Sequence, residues 1–208
     1  MKEQIFIAMI IATRMEAEPF IESMEMKEVK IRPFPVYIAG DACLTISGIG
    51  KANAAMATLY ASIKFDPVWI LNLGAAGATE DSKELGMIYN IEKTIEPDRL
   101  HLRTNNPYIL YPDFLQDLDR AVLATQDRAV TDIERFREIA AMADLVDMEG
   151  ASVVQASQRV EKKCLLFKFV SDTPRHASRP EIIDHIKDFR GPFSDFICNS
   201  VIPIIRNQ

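Results

Sequence analysis

Asp147-Met148-Glu149-Gly150-Ala151-Ser152 follows the apolar pair Leu145-Val146, and Phe169-Val170-Ser171-Asp172 follows Leu165-Leu166-Phe167. In both places an acid stands directly at the end of an apolar run of strand length, so each reads as the carboxyl end of a buried strand. In open α/β sheets ligands bind at that edge. The two acids therefore mark both the architecture and a candidate site.

Working outward, apolar runs alternate with longer helical stretches, which indicates an α/β layer architecture. Ile5 to Ala12 reads as a buried strand, followed by a turn at Thr13-Arg14 and a helix over Glu16 to Met24. Pro19 is tolerated in the first turn of that helix. Val36 to Ala39 and Cys43 to Ser47 flank Gly40-Asp41 as an antiparallel hairpin. Ser47-Gly48-Ile49-Gly50-Lys51 turns into an alanine-rich helix, Ala52 to Ile63. A phosphate loop would need a longer spacing and a Ser or Thr after the lysine, where this chain has Ala52, so backbone punctuation is the plainer reading.

Val68 to Leu73 is the next strand, and Gly74-Ala75-Ala76-Gly77 reads as its end. Four small residues there either let a ligand approach the backbone or simply make a turn. Leu85 to Ile95 is a long strand, and the segment with Pro97, Pro107 and Pro112 is irregular. Arg120 to Thr125 is a strand, Thr131-Asp132 caps a helix over Ile133 to Met142, and a helix follows Glu149 to about Val160. From Glu181 the chain reads as helical to its end, broken near Gly191-Pro192.

The chain has 208 residues, enough for one domain with a sizeable core, and the whole of 1–208 is expected to form one. Its 24 basic against 30 acidic side chains give a net charge of −6, with no basic face for nucleic acid. A small molecule is the expected partner. Cys43, Cys164 and Cys198 lie far apart in apolar runs, as structural thiols of a reducing compartment do, and no disulfide framework or zinc spacing is present. The opening apolar run lacks a small-residue cleavage site, so it is expected to be a core strand of a cytoplasmic protein without a membrane anchor.

Five separated features now combine: Met15-Glu16-Ala17-Glu18 after the first strand, Ser47 to Lys51, Asn72-Leu73-Gly74-Ala75-Ala76-Gly77, Asp147-Met148-Glu149-Gly150, and Ser171-Asp172. Their order resembles that of the purine nucleoside phosphorylase and nucleosidase superfamily, and within it the methylthioadenosine/S-adenosylhomocysteine nucleosidase branch. The resemblance spans most of the chain but skips roughly Glu96 to Leu118, where the family carries a longer insertion.

That resemblance implies a three-layer α/β/α fold around a mixed, partly barrel-like sheet. It also implies hydrolysis of the N-glycosidic bond of a purine nucleoside, with no cofactor and no metal. Glu149 would accept hydrogen bonds from the ribose diol while Met148 packs on the sugar. Asp172, beside Ser171, would donate a proton to purine N7, and Glu18 would hold the attacking water. The small strand end with Ala75 and Gly77 would line the substrate. A homo-oligomer, dimer or hexamer, is implied as well.

The chain departs from the family pattern in three places. Ala75 stands where the nucleosidases carry Ser, Lys168 where they carry Arg, and Arg14 where they have a small residue. Both Ala75 and Lys168 would lie near the nucleophilic water, and Arg14 is the candidate ligand for phosphate. Phosphorolysis is thus the rival mechanism, with futalosine-type hydrolysis and a catalytically silent nucleoside-binding protein as further alternatives. Without the family order, each acid has a plainer reading: Asp172 as a helix N-cap, Glu149 as a first-turn residue, Glu18 as a solvated helix residue.

Overall fold

The computed structural model describes residues 4–128, 130 and 133–207. The expected cap at Thr131-Asp132 lies outside the described residues. The chain opens with β1 (Ile7–Ile11) and α1 (Arg14–Ser23), and continues with β2 (Lys27–Lys30), β3 (Val36–Ala39) and β4 (Ala42–Ile46). After α2 (Lys51–Phe65) come β5 (Trp69–Ala78), β6 (Ile88–Leu100), β7 (Pro107–Leu110) and β8 (Arg120–Thr125). Then follow α3 (Ile133–Ala140), β9 (Leu145–Asp147), α4 (Gly150–Arg159), β10 (Lys163–Asp172), α5 (Arg179–Phe196) and α6 (Ile202–Arg206).

The ten strands form one mixed sheet. Five of them close on themselves, because β5 pairs with β9, β9 with β8, β8 with β6, β6 with β10, and β10 with β5 again. This is the barrel-like part of the sheet. From β5 the sheet extends through β1 and β4, both parallel, to the antiparallel β3 and β2. The hairpin at Gly40-Asp41 is antiparallel, as its turn residues imply.

Strand alternation divides the core between two helical layers. Ile7, Met9 and Ile11 of β1 join Leu71, Phe167 and Phe193 in one cluster, while Ala8 and Ile10 join Ala54, Ala57 and Val153 in another. The first lies under α1 and α5 and the second under α2 and α4, which gives the three layers. Burying each large aliphatic side chain contributes about 1.5–3 kcal/mol relative to leaving it exposed. Ala54, Ala57 and Ala61 are fully buried, so the small residues of α2 let that helix sit close to the sheet.

Some stretches differ from expectation. The segment with Pro97 and Pro107 is not irregular throughout: β6 runs through Pro97 to Leu100, and Pro107 opens β7. Gly74 to Gly77 does not end β5, which runs on to Ala78 and pairs with both β10 and β9. Nor does Gly191-Pro192 break α5; the irregularity comes later, as a π-helical turn at Ile197–Val201.

Candidate active site

A cavity of about 290 Å³ opens where β1, β5, β9 and β10 end, and its buried wall carries Glu16, Glu149 and Asp172. Each acid is placed by a different local device. Asp172 ends β10 just after a register shift, because Val170 faces Ala76 and Asp172 faces Gly77, leaving Ser171 as the extra residue. Such a bulge re-aims the following side chain. The Ser171 hydroxyl donates to Asp172 Oδ1 at 2.5 Å, and the Ser171 carbonyl lies 2.8 Å from His185 Nδ1. Burial raises the Asp172 pKa, with the Ser171 hydrogen bond and His185 acting in the opposite sense.

Glu149 stands just before α4 and accepts the Gly50 amide at 2.8 Å, so it ties the Gly48-Ile49-Gly50 turn to the end of β9. Burial raises its pKa, Asp147 adds to the rise, and Lys168 and the Gly50 amide oppose it.

Asp147 itself is consumed structurally. One carboxylate oxygen accepts from the Thr125 hydroxyl at 2.6 Å; the other accepts the Gly150 amide at 2.8 Å and pairs with Lys168 Nζ at 2.9 Å. This side-chain pair is almost sealed, at 1% exposure for Asp147 and 2% for Lys168. Burial alone would lower the Lys168 pKa, yet Asp147 and Glu149 more than offset it and the net shift is upward. Lys168 is therefore a fixed internal cation behind the cavity wall.

Glu16 is the acid that sequence order misplaced. Its Oε1 accepts the Ala75 amide at 2.9 Å, and its Oε2 accepts the Thr13 hydroxyl at 2.5 Å. Glu18, the expected water-holding acid, points elsewhere: it pairs with Arg190 at 2.7 Å, is 41% exposed and does not border the cavity. Two positions along an α-helix turn a side chain by about 200°, so Glu16 and Glu18 cannot share one face. The expectation of Glu18 in the cleft is corrected to Glu16. A sequence signal for it existed, since Thr13-x-x-Glu16 has the spacing of a capping box.

Met148, Ala75, Gly77 and Ser171 do border the cavity. Arg14 does not: it is exposed, donates to the Tyr37 hydroxyl and lies over that ring, 5.0 Å from its centre. Ile49, from the Ser47 to Lys51 turn, also borders the cavity, as do Arg128 and Arg179, which no sequence motif marks.

The close-packed small residues of β5 now have a reason. A Cβ on Gly77 would stand 2.5 Å from Asp172 Oδ2, and one on Gly74 would stand 2.7 Å from Glu16 Oε1. Both acids thus rest against backbone where no side chain fits. The fold and this cluster of buried acids point to the class. Residues 6–128 match the family described as the phosphorylase superfamily, and the chain belongs to it.

The chain is 24% identical over 210 residues to the 5′-methylthioadenosine/S-adenosylhomocysteine nucleosidase of Shewanella denitrificans, covering 86% of this chain and 91% of the relative. The nucleosidase of the same name from Staphylococcus haemolyticus is 48% identical over 46 residues, only 22% of this chain and 20% of the relative. The Arabidopsis thaliana 5′-methylthioadenosine nucleosidase structure superposes with a TM-score of 0.86 at 18% identity, covering 100% of this chain and 98% of that one.

Proposed function

We propose that the chain is a purine nucleosidase that hydrolyses the N-glycosidic bond of an adenine nucleoside such as 5′-methylthioadenosine or S-adenosylhomocysteine. The observation that carries the reading is the convergence of Glu16, Glu149 and Asp172, from three separate segments, on one cavity. In this reading Glu149 accepts the ribose hydroxyls and Met148 packs against the sugar. Asp172, protonated, donates to N7 as the bond from C1′ to the base lengthens, so adenine leaves neutral. An aspartic acid suits a 6-amino purine, because its carboxylate can accept from the amino group. Water adds to C1′ and its proton passes to Glu16, which the Ala75 amide and Thr13 hydroxyl hold in place. With an oxocarbenium-like transition state, positioning of the water matters more than its basicity.

Water is favoured over phosphate because the two cations expected near the attacking face are engaged elsewhere, while Arg128 and Arg179 stand at the exposed rim of the cavity and not among its buried acids. Arg14 is engaged with Tyr37, and Lys168 is held by Asp147 behind the wall. A phosphate dianion approaching Glu16 would meet a repulsion of about 4 kcal/mol per unit-charge pair at contact distance and intermediate dielectric. The test is a screen of nucleosides with and without phosphate, reading free base and sugar by chromatography. Adenine with free sugar and no phosphate requirement is expected. A sugar 1-phosphate would make the chain a phosphorylase, and tight binding without turnover would make it a silent binding protein.

We read the enzyme as a single-domain cytoplasmic homodimer. The three cysteines carry no disulfide, in keeping with a reducing compartment. Met56, Leu59 and Ile63 are exposed on one side of α2, and exposed Ile49 extends that apolar stripe to the cavity. A second copy seated there would border the substrate. Light scattering of wild type and Met56→Glu checks this; a monomeric wild type would overturn it.

A further inference from the structure

The cavity has two electrostatic levels. Glu16, Glu149 and Asp172 are buried, whereas Arg128 and Arg179 border the same cavity but are exposed, so the arginines form its rim. They arrive independently, Arg128 from the segment after β8 and Arg179 as the first residue of α5. Among the described residues no carboxylate pairs with either guanidinium, although most other basic side chains near acids are taken: Arg99 by Glu96, Arg120 by Glu92, Arg190 by Glu18. The floor acids do not reach them either, because the partners of those acids are the Ala75 and Gly50 amides and the Thr13 and Ser171 hydroxyls.

The size of the cavity says which part of a ligand meets the rim. About 290 Å³ lies at the small end of ligand sites, room for a base and a sugar but little more. With the base at Asp172 and the ribose diol at Glu149, the 5′ substituent is what remains to project outward. We infer that the preferred substrate carries an anionic group on its 5′ substituent, a carboxylate or a phosphate, held by Arg128 and Arg179. This deepens the nucleosidase reading and rests on it. Arginine suits either anion, since its planar fork donates two parallel hydrogen bonds. Repulsion from the floor is modest, because burial holds Asp172 toward its neutral form and solvent screens the rim.

The experiment compares three adenine nucleosides: a 5′-thioether ending in a carboxylate, its uncharged carboxamide, and adenosine 5′-phosphate. For each, kcat/KM for adenine release and equilibrium affinity are measured in wild type and in the Arg128→Ala/Arg179→Ala double variant. Exposed ion pairs are individually weak, so two together should favour an anion over the carboxamide by about tenfold at low salt. That ratio should fall towards one in the double variant and in high salt. The carboxylate and phosphate arms tell which anion is preferred. A wild type that treats the carboxamide as well as both anions, or a preference that survives the double substitution, overturns the inference. Should none of the three release adenine, the nucleosidase reading has failed, while the affinities of the same compounds still decide the anion preference.

Discussion

Gly77 lies against Asp172 so closely that a Cβ on it would stand 2.5 Å from Oδ2 and 3.1 Å from the carboxyl carbon. The strand and the acid therefore form one unit: β5 is bare at this point because Asp172 occupies the space. Gly77→Ala must push that carboxyl group aside, against the hold of the Ser171 hydroxyl. A displacement near 1 Å in a reacting group costs on the order of a hundredfold in turnover. Turnover should fall by that much while the far-ultraviolet spectrum stays that of the wild type. A Gly77→Ala enzyme with unchanged kcat would show that Asp172 has no positional demand.

Asp147, in the cavity wall, and Lys168, behind it, make a buried ion pair. Removing one partner of such a pair leaves an uncompensated charge and costs about 3–5 kcal/mol, whereas removing both costs much less. Lys168→Met should destabilise by that amount in urea titration, and Asp147→Asn/Lys168→Met should recover most of the loss. Additive single effects would mean that the two side chains do not depend on each other.

Much of this arrangement was legible in the chain. Apolar residues directly before Asp147 and Asp172 were enough to place both acids at strand ends, although β9 has only three residues against the ten of β10. Gly74 to Gly77 misled because small residues usually mark a turn; here they continue a strand whose missing side chains are replaced by Glu16 and Asp172 from elsewhere. Such a long-range substitution of one side chain for another leaves no local pattern. Glu16 and Glu18 were separable only by helix phase, and motif order carries none. Pro192 sits inside α5 because a long amphipathic helix, packed through Phe193 on Phe20 and Phe169, outweighs one missing amide.

Burial raises the pKa of both Asp172 and Glu149. An acid whose pKa is higher folded than unfolded binds more protons in the native state, so its contribution to stability is fully present at low pH and lost as pH rises through the raised value. Urea midpoints should therefore decline more steeply above the ordinary carboxylate range in wild type than in Asp172→Asn/Glu149→Gln. Parallel slopes would contradict the raised values. Turnover should also fall on the alkaline side, where Asp172 loses the proton it must donate. That limb should vanish with a substrate whose leaving group needs no protonation.

Glu149 accepts the Gly50 amide and, in the proposed complex, the ribose hydroxyls. Glu149→Gln should lower kcat/KM by a few kcal/mol equivalent, roughly 1.5–3 for a hydrogen bond to a charged group. The loss should be smaller on a 2′-deoxy substrate. Equal losses on both sugars would remove Glu149 from the diol.

The central claim is that water, held by Glu16, cleaves the glycosidic bond. Adenine release from 5′-methylthioadenosine by wild type, Glu16→Gln and Glu18→Gln in phosphate-free buffer tests it most directly, with the sugar product identified. The account predicts free methylthioribose, collapse of turnover in Glu16→Gln, and near-normal turnover in Glu18→Gln. Collapse in Glu18→Gln with Glu16→Gln fully active, or a wild type that turns over only when phosphate is added and yields a sugar 1-phosphate, would contradict it.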